Sequence, residues 1–175
     1  DGTTFDAEFG IGFLKNDGLV CVIHDITERK QAEKAVAEER NLLRTLIDSL
    51  PDYIYVKDTQ HRTLLSNLAR TLSFGLSSPE ETLGKDDYAF IPSEMVEQIH
   101  ADEDHLFKTL QPLIDREERT IGLNGDVIWA STTKVPLHRL TGELIGLVGV
   151  TRDITEQKRR ERQLRFDAGI QASVN

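Results

Sequence analysis

The sequence predicts an α+β domain built on an antiparallel sheet, with helices on one face and a charged linker helix at either end. Three observations carry this expectation. Between residues 52 and 155, two short apolar strands come first, helical stretches follow, and three strands close the series. Strands and helices segregated in this way give an antiparallel sheet with helices across one face, not an alternating parallel array. Turn chemistry separates the strands, in "DTQH", "NGD" and "RLTGE". Finally, "DIT" occurs twice, at residues 25–27 and 153–155, each time between an apolar run and a charged run.

Residues 1–25 read as a hairpin, "TTFDAEFGIGFL" and "LVCVI" joined by the turn residues of "KNDG". Two strands alone are marginal in water, so Phe5, Phe9, Phe13 and Leu14 need cover that this stretch does not supply. Residues 26–50 form one predicted helix. Val36, Leu43 and Leu50 recur at heptad spacing with Leu46 and Ile47 between them, a coiled-coil seam that weakens toward Ala32, Ala35 and Glu39. Pro51 is expected to stop it at Leu50. "YIYVK" and "RTLLS" are the first two strands of the main domain. "NLARTLSFG" is a short helix with Asn67 as its cap, and "SPEETLGKDDYAFIPSEM" is broken by Pro and Gly into helical turns. A longer helix spans 93–110, its apolar stripe being Met95, Ile99, Leu106 and Leu110, with Val96 and Phe107 alongside. Strands are expected over 113–123, 127–137 and 143–152, and a second charged helix from 154.

Composition narrows the function classes. A formal net charge of −9 opposes a nucleic-acid or anionic-membrane surface. The basic run "KRRERQLR" is interrupted by acid and reads as a solvated helix face. Cys21 is the only cysteine, so no intrachain disulfide forms and a reducing, cytoplasmic setting fits. No apolar run reaches the roughly 18 residues of a membrane span, so no membrane contact is expected within this segment. There is no initiator Met or signal peptide, so the chain reads as an internal piece whose parent could be anchored elsewhere.

No convergent catalytic set is visible. Of His24, His61, His100, His105 and His138, the second and last fall at predicted turns and are expected in solvent. "DEDH" at 102–105 spreads around its helix and reads as a solvated face. No Cys–His cluster has metal spacing, and no Gly-rich phosphate loop exists. The expectation is no catalytic residue and no metal. In "DITE", an Asp or Thr oxygen can accept from the first turn of the following helix, and the Glu three residues on can reach back.

The two copies of "DIT" align further, residues 2–5 with 125–128 and 18–27 with 146–155. With "PDYIYVKD", Asn67, "LGKDDY", "QPLIDREE", "NGDVIW" and "GVTRDITEQK", the chain resembles the PAS family of sensor domains, fully over 52–155 and as a fragment over 1–27. The resemblance implies a five-stranded sheet in the order 2-1-5-4-3. It also implies a division into a C-terminal hairpin of an upstream PAS-like domain (1–27), a linker helix (28–51), a complete domain (52–155) and an outgoing linker (156–175). Such modules usually sit within bacterial signalling proteins, upstream of histidine kinase or cyclic-dinucleotide modules. The expected function is therefore a non-enzymatic sensory module that binds a small molecule, or dimerises through its linker helices, and relays signal to a linked output domain. A ligand-free dimerising spacer and a haem gas sensor are the alternatives.

By the same resemblance, Thr120, Ile128, Ala130, Thr132, Leu147, Gly149 and Thr151 face the helices, and Trp129, Val135, Val148 and Val150 face outward toward a covering helix. The expected pocket lining is Tyr55, His100, Thr120, Ala130, Thr132 and Thr151, with His100 the iron ligand if haem is bound. Asp25 and Thr27, and Asp153 and Thr155, are expected to couple sheet to helix. Flavin photochemistry of the cysteine type is excluded because no cysteine follows Cys21. The sequence names no ligand.

Overall fold

The computed structural model describes residues 4–13, 19–121 and 126–174. The predicted "KNDG" turn lies outside these residues, as do the first two residues of "NGD". The chain divides into two compact units, Asp1–Leu46 and Ile47–Asn175.

In the first unit, β1 (Ala7–Phe13) and β2 (Leu19–Asp25) pair antiparallel, from Ala7 opposite Asp25 to Phe13 opposite Leu19. Phe9, Ile11, Leu19, Val22 and Ile23 are exposed, while Ile26, at the start of the following helix, is buried. That helix, α1 (Thr27–Asp48), ends two residues short of the expected Leu50. Proline disfavours helical backbone at the residue before it, so the chain is already turning at Ser49 and Leu50. Val36 and Leu43 therefore lie on α1, both exposed, and Leu50 beyond it.

The second unit holds β3 (Tyr53–Asp58), β4 (Thr63–Ser66), α2 (Leu68–Ser73), 3-10 turns at Pro79–Thr82 and Asp87–Ala89, and α3 (Ser93–Thr109). β5 (Leu113–Ile121), β6 (Val127–His138), β7 (Leu144–Asp153) and α4 (Thr155–Val174) follow. The sheet runs β4-β3-β7-β6-β5 with every neighbour antiparallel, which is the predicted order 2-1-5-4-3. First and last strands thus lie side by side at its centre.

The period-two burial of a one-sided sheet is plain in β3, where Tyr53, Tyr55 and Lys57 are buried and alternate with half-buried neighbours. Tyr55, Leu106 and Leu147 form the apolar centre, with Phe107 against them. α3 turns the expected stripe inward in part, at Leu106 with Val96 alongside and Met95 and Ile99 half-buried, and departs from it at Glu103 and Leu110. Val96, Glu103 and Leu106 are buried, whereas Leu110 ends the helix in the left-handed region (φ 58°) and is exposed.

Asn67 does more than cap α2. Its Oδ1 accepts from Arg70 N at 3.1 Å and from Ile54 N at 3.0 Å, and its Nδ2 donates to Ile47 O and Asp52 O, both at 2.9 Å. One buried amide thereby uses both its donors and satisfies four backbone groups from three stretches of chain.

Candidate functional site

The helix-facing side of the sheet is charged, not simply small and apolar. Alternation along β3 that buries Tyr53 and Tyr55 also buries Lys57, and alternation along β6 that buries Ala130 and Thr132 also buries Lys134. Burying an ammonium is costly unless it is paired, and both lysines are. Lys57 Nζ lies 2.5 Å from Asp87 Oδ2 and 2.8 Å from Glu103 Oε1, and Lys134 Nζ lies 3.1 Å from the same Glu103 oxygen. Arg70 Nη2 takes the other oxygen of Asp87 at 2.7 Å. The Arg70 guanidinium also lies over the Tyr55 ring, 3.7 Å from its centroid. Its Nη1 is buried and has no hydrogen-bond partner among the described residues.

These neighbours fix the protonation states. Burial alone would raise the Asp87 carboxyl, but Arg70 and Lys57 outweigh it and hold the group below its ordinary value. Burial opposes the Glu103 carboxylate too. The His61 hydrogen bond, Lys57 and Lys134 prevail, holding Glu103 far below the usual carboxylate range.

His61 completes the cluster. It sits in the left-handed region at φ 62°, a conformation that His tolerates better than most residues. There its Nδ1 reaches Glu103 Oε2 at 2.8 Å, and its ring stacks on His100 with centroids 3.9 Å apart. This corrects the expectation of a solvated His61: the side chain is only 15% exposed. The solvated reading of "DEDH" is likewise corrected at Glu103, which is fully buried because two lysines and an imidazole meet it inside. His138, His24 and His105 are exposed.

His61, His100 and Glu103 bring three ligand atoms within 4.8 Å of one another. The two rings are nearly parallel, 15° apart, so their in-plane lone pairs run side by side and do not converge on one ion. Glu103 is already engaged by three cationic or hydrogen-bonding partners. The cluster suits proton sharing, not metal coordination.

The Glu103 hydrogen bond raises His61 above the ordinary imidazole value, against burial and the nearby Lys57, with Asp104 assisting. A raised folded-state pKa stabilises fully below the unfolded value of about 6.5 and loses that stabilisation as pH rises through the folded value. The melting temperature is therefore expected to fall as pH rises from about 6.5 into the alkaline range. His61→Asn, which tolerates the same backbone, should flatten this slope. Thermal melts across that range check it, and an unchanged slope would remove His61 as the cause.

Tyr53, Tyr55, Arg70, Thr120, Lys134 and Thr151 are among the residues lining a half-open cavity of about 40 Å³ between sheet and helices. Of the predicted lining, Tyr55, Thr120 and Thr151 border this space. Ala130 and Thr132 are buried in β6 but do not border it, although Thr132 Oγ1 lies 3.2 Å from Thr151 Oγ1. His100 stands outside it, stacked on His61 with Nε2 3.2 Å from Asp86 Oδ1. A cavity that admits roughly three waters, with the candidate ligand outside it, does not fit haem.

A second feature lies where strands hand over to helices. Asp153 Oδ1 accepts from Thr155 N at 2.8 Å, Ile154 N donates to Trp129 O at 2.9 Å, and Trp129 N donates to Thr155 Oγ1 at 3.0 Å. Ile154 is buried. The first unit repeats the set. Asp25 Oδ1 accepts from Thr27 N at 2.9 Å, Ile26 N donates to Asp6 O at 2.9 Å, and Asp6 N donates to Thr27 Oγ1 at 3.0 Å. In both joints the Asp fixes the turn, the Ile plugs it, and the Thr hydroxyl ties the helix start to the neighbouring strand. A lysine one turn on adds an ion pair in each, Lys30 to Asp6 at 2.9 Å and Lys158 to Glu117 at 2.6 Å. Glu156 does not reach back across the cap but pairs with Arg159 at 2.6 Å. Beside the second joint, Arg152 grips Asp52 through two of its guanidinium nitrogens, Nε at 3.1 Å and Nη2 at 2.7 Å, joining the end of the domain to its beginning.

A five-stranded antiparallel sheet in this order, helices on one face and a polar cavity between them define an α+β sensor fold. A family profile described as the PAS fold matches residues 47–159. The chain belongs to that family. It is similar to the virulence sensor protein BvgS of Bordetella parapertussis, 34% identical over an alignment of 152 positions that covers 83% of this chain and 12% of that protein. It also resembles a diguanylate cyclase of Vibrio cholerae, 31% identical over 128 residues, or 73% of this chain and 40% of that enzyme. The solved PAS domain from Bordetella pertussis BvgS superimposes with a TM-score of 0.53 at 28% identity, covering 76% of this chain and 98% of that one. The chain thus spans 12% and 40% of the length of these two curated relatives. Its PAS domain is a regulatory module homologous to segments of signalling proteins. Among the described residues, no helix is long and apolar enough to cross a membrane.

Proposed function

We propose that residues 52–155 act as a non-enzymatic sensory module of a multidomain signalling protein, a histidine kinase or a cyclic-dinucleotide enzyme. The module binds a small molecule in its cavity and passes the change to a linked output domain through the flanking helices. On this reading, residues 1–27 are the last hairpin of a preceding PAS-like domain, and α1 and α4 are linkers through which two copies pair. The exposed Val36, Leu42, Leu43 and Leu46 of α1 support the pairing.

The observation that carries the reading is the repeated joint. The same three backbone and side-chain contacts tie the end of a sheet to the start of a helix in both units. A shift of the strand bearing Trp129 therefore has a direct route to α4. Thr151, which lines the cavity, is paired with Thr132 on that same strand. Two packings of such a joint are what a ligand needs in order to bias an output.

The small cavity favours a second reading, a ligand-free dimerising spacer. Mass spectrometry of small molecules released on denaturing the purified chain separates the two. The sensory reading expects one molecule at close to one per chain, and repeated absence of any would favour the spacer.

A further inference from the structure

We infer that the cavity takes a short-chain monocarboxylate, held by Arg70 and Lys134. This rests on the sensory reading and gives it a ligand class.

The charge balance of the interior points to an anion. Lys57, Arg70 and Lys134 are all at least nine-tenths buried, and the carboxylates buried to the same degree are Asp87 and Glu103. Three cations against two anions leave one positive charge, which the half-buried Glu118 of the lining offsets from a partly solvated position, in surroundings where an unbalanced charge is costly. The excess lies toward the cavity. Lys57 spends its ammonium on Asp87 and Glu103 and does not line the space, whereas Arg70 and Lys134 do.

Two cationic side chains of the lining suit a carboxylate. Arg70 is held from two sides, by Asp87 on Nη2 and by the Tyr55 ring against its face. That leaves Nη1 as a buried donor without a partner among the described residues. A guanidinium fixed in this way loses little freedom on binding and keeps charged N–H donors of the kind that pair with carboxylate oxygens. Lys134 Nζ has three donors, of which Glu103 takes one at 3.1 Å. Thr120 and Thr151 add hydroxyls to the lining, while Tyr53, Phe74, Ile91 and Ile99 give it apolar walls for a short alkyl end. Room for roughly three waters suits a guest whose seated part is about three to five heavy atoms. The lining contains one opposing group beyond Asp87: Glu118 of β5 is half-buried and competes for Lys134.

Acetate and acetamide share a shape and differ in charge. Each is titrated into the 175-residue chain at constant ionic strength with chloride as the balancing anion, followed by calorimetry and amide chemical shifts. Acetate should saturate with a dissociation constant on the order of millimolar or below. Acetamide should bind at least about tenfold more weakly, because hydrogen bonds to an ionised acceptor are roughly twice as strong as neutral ones. Glu118→Gln, at a half-buried position that should fold, should tighten acetate about threefold or more and leave acetamide unchanged. Equal affinity for the two probes, or no tightening in Glu118→Gln, overturns the carboxylate assignment while the cavity stays a ligand site. Binding of neither probe, to the native chain or to the variant, overturns the assignment and the small-molecule reading together.

Discussion

Glu103→Gln is expected to destabilise the second unit by about 3–5 kcal/mol, the usual cost of removing one member of a buried ion pair. The mechanism is the stranding of cations. Lys57 and Lys134 both rest on Glu103 Oε1, at 2.8 and 3.1 Å, and His61 rests on Oε2 at 2.8 Å. A glutamine oxygen can accept from one of them, but it carries no charge and its amide nitrogen faces the rest as a donor. For a domain of about 100 residues the loss corresponds to roughly 15–25 °C of melting temperature, read by urea or thermal denaturation. Replacing Glu103, Lys57 and Lys134 together with Leu, Met and Met should recover most of it, because apolar groups of similar volume often match or exceed a buried ion network. If the triple variant is as stable as the native chain, the network is kept for something other than stability, consistent with a polar ligand cavity. A single Glu103→Gln loss below about 1 kcal/mol would mean the lysines are not held as described.

Gly146→Ala should be at least as damaging, for steric reasons alone. A Cβ at Gly146 would stand 1.8 Å from the Lys57 carbonyl oxygen and 2.8 Å from its carbon, and the residue sits at φ 153°. The obstacle is backbone, on the central pair where Asp58 faces Gly146, so no side chain can swing aside. Relief requires β3 and β7 to part at one end, and a loss of at least about 3 kcal/mol is expected. Gly12→Ala on β1 is the control: its Cβ would meet nothing within 4 Å, and a change within about 0.5 kcal/mol is expected. Similar urea midpoints for the second unit in Gly146→Ala and the native chain would contradict this.

The fold was largely legible because its signals are local. Alternation in "YIYVK", turn residues in "RLTGE" and the segregation of strands from helices gave five strands in the observed order once the family likeness was added. The charged interior was legible in principle. Lys57 follows Tyr53 and Tyr55 on one face of β3, Lys134 follows Ala130 and Thr132 on one face of β6, and Glu103 shares an α3 face with Val96 and Phe107. Each alone looks like a charged residue near the end of an apolar face, where a long side chain normally reaches for water. Their burial follows only from pairing with one another, and such pairs lie up to 46 residues apart in sequence. His61 was hidden differently, because a turn position suggests solvent until the αL backbone that aims its ring inward is known. At the joints the Asp was legible as a cap. The Thr hydroxyl's tie to Trp129 crosses 26 residues, and nothing in "DIT" announces that partner.

The central claim, that the joint transmits a change from sheet to outgoing helix, is tested most directly by Thr155→Val in a full-length protein carrying this segment, with its output activity measured against stimulus. Valine keeps the shape of threonine and removes the hydroxyl that accepts from Trp129 N at 3.0 Å. The domain should lose only about 1 kcal/mol, the net worth of one hydrogen bond. The account predicts that the output loses most of its response to stimulus while the domain stays folded. A full response, with the melting temperature within a few degrees of native, would contradict it.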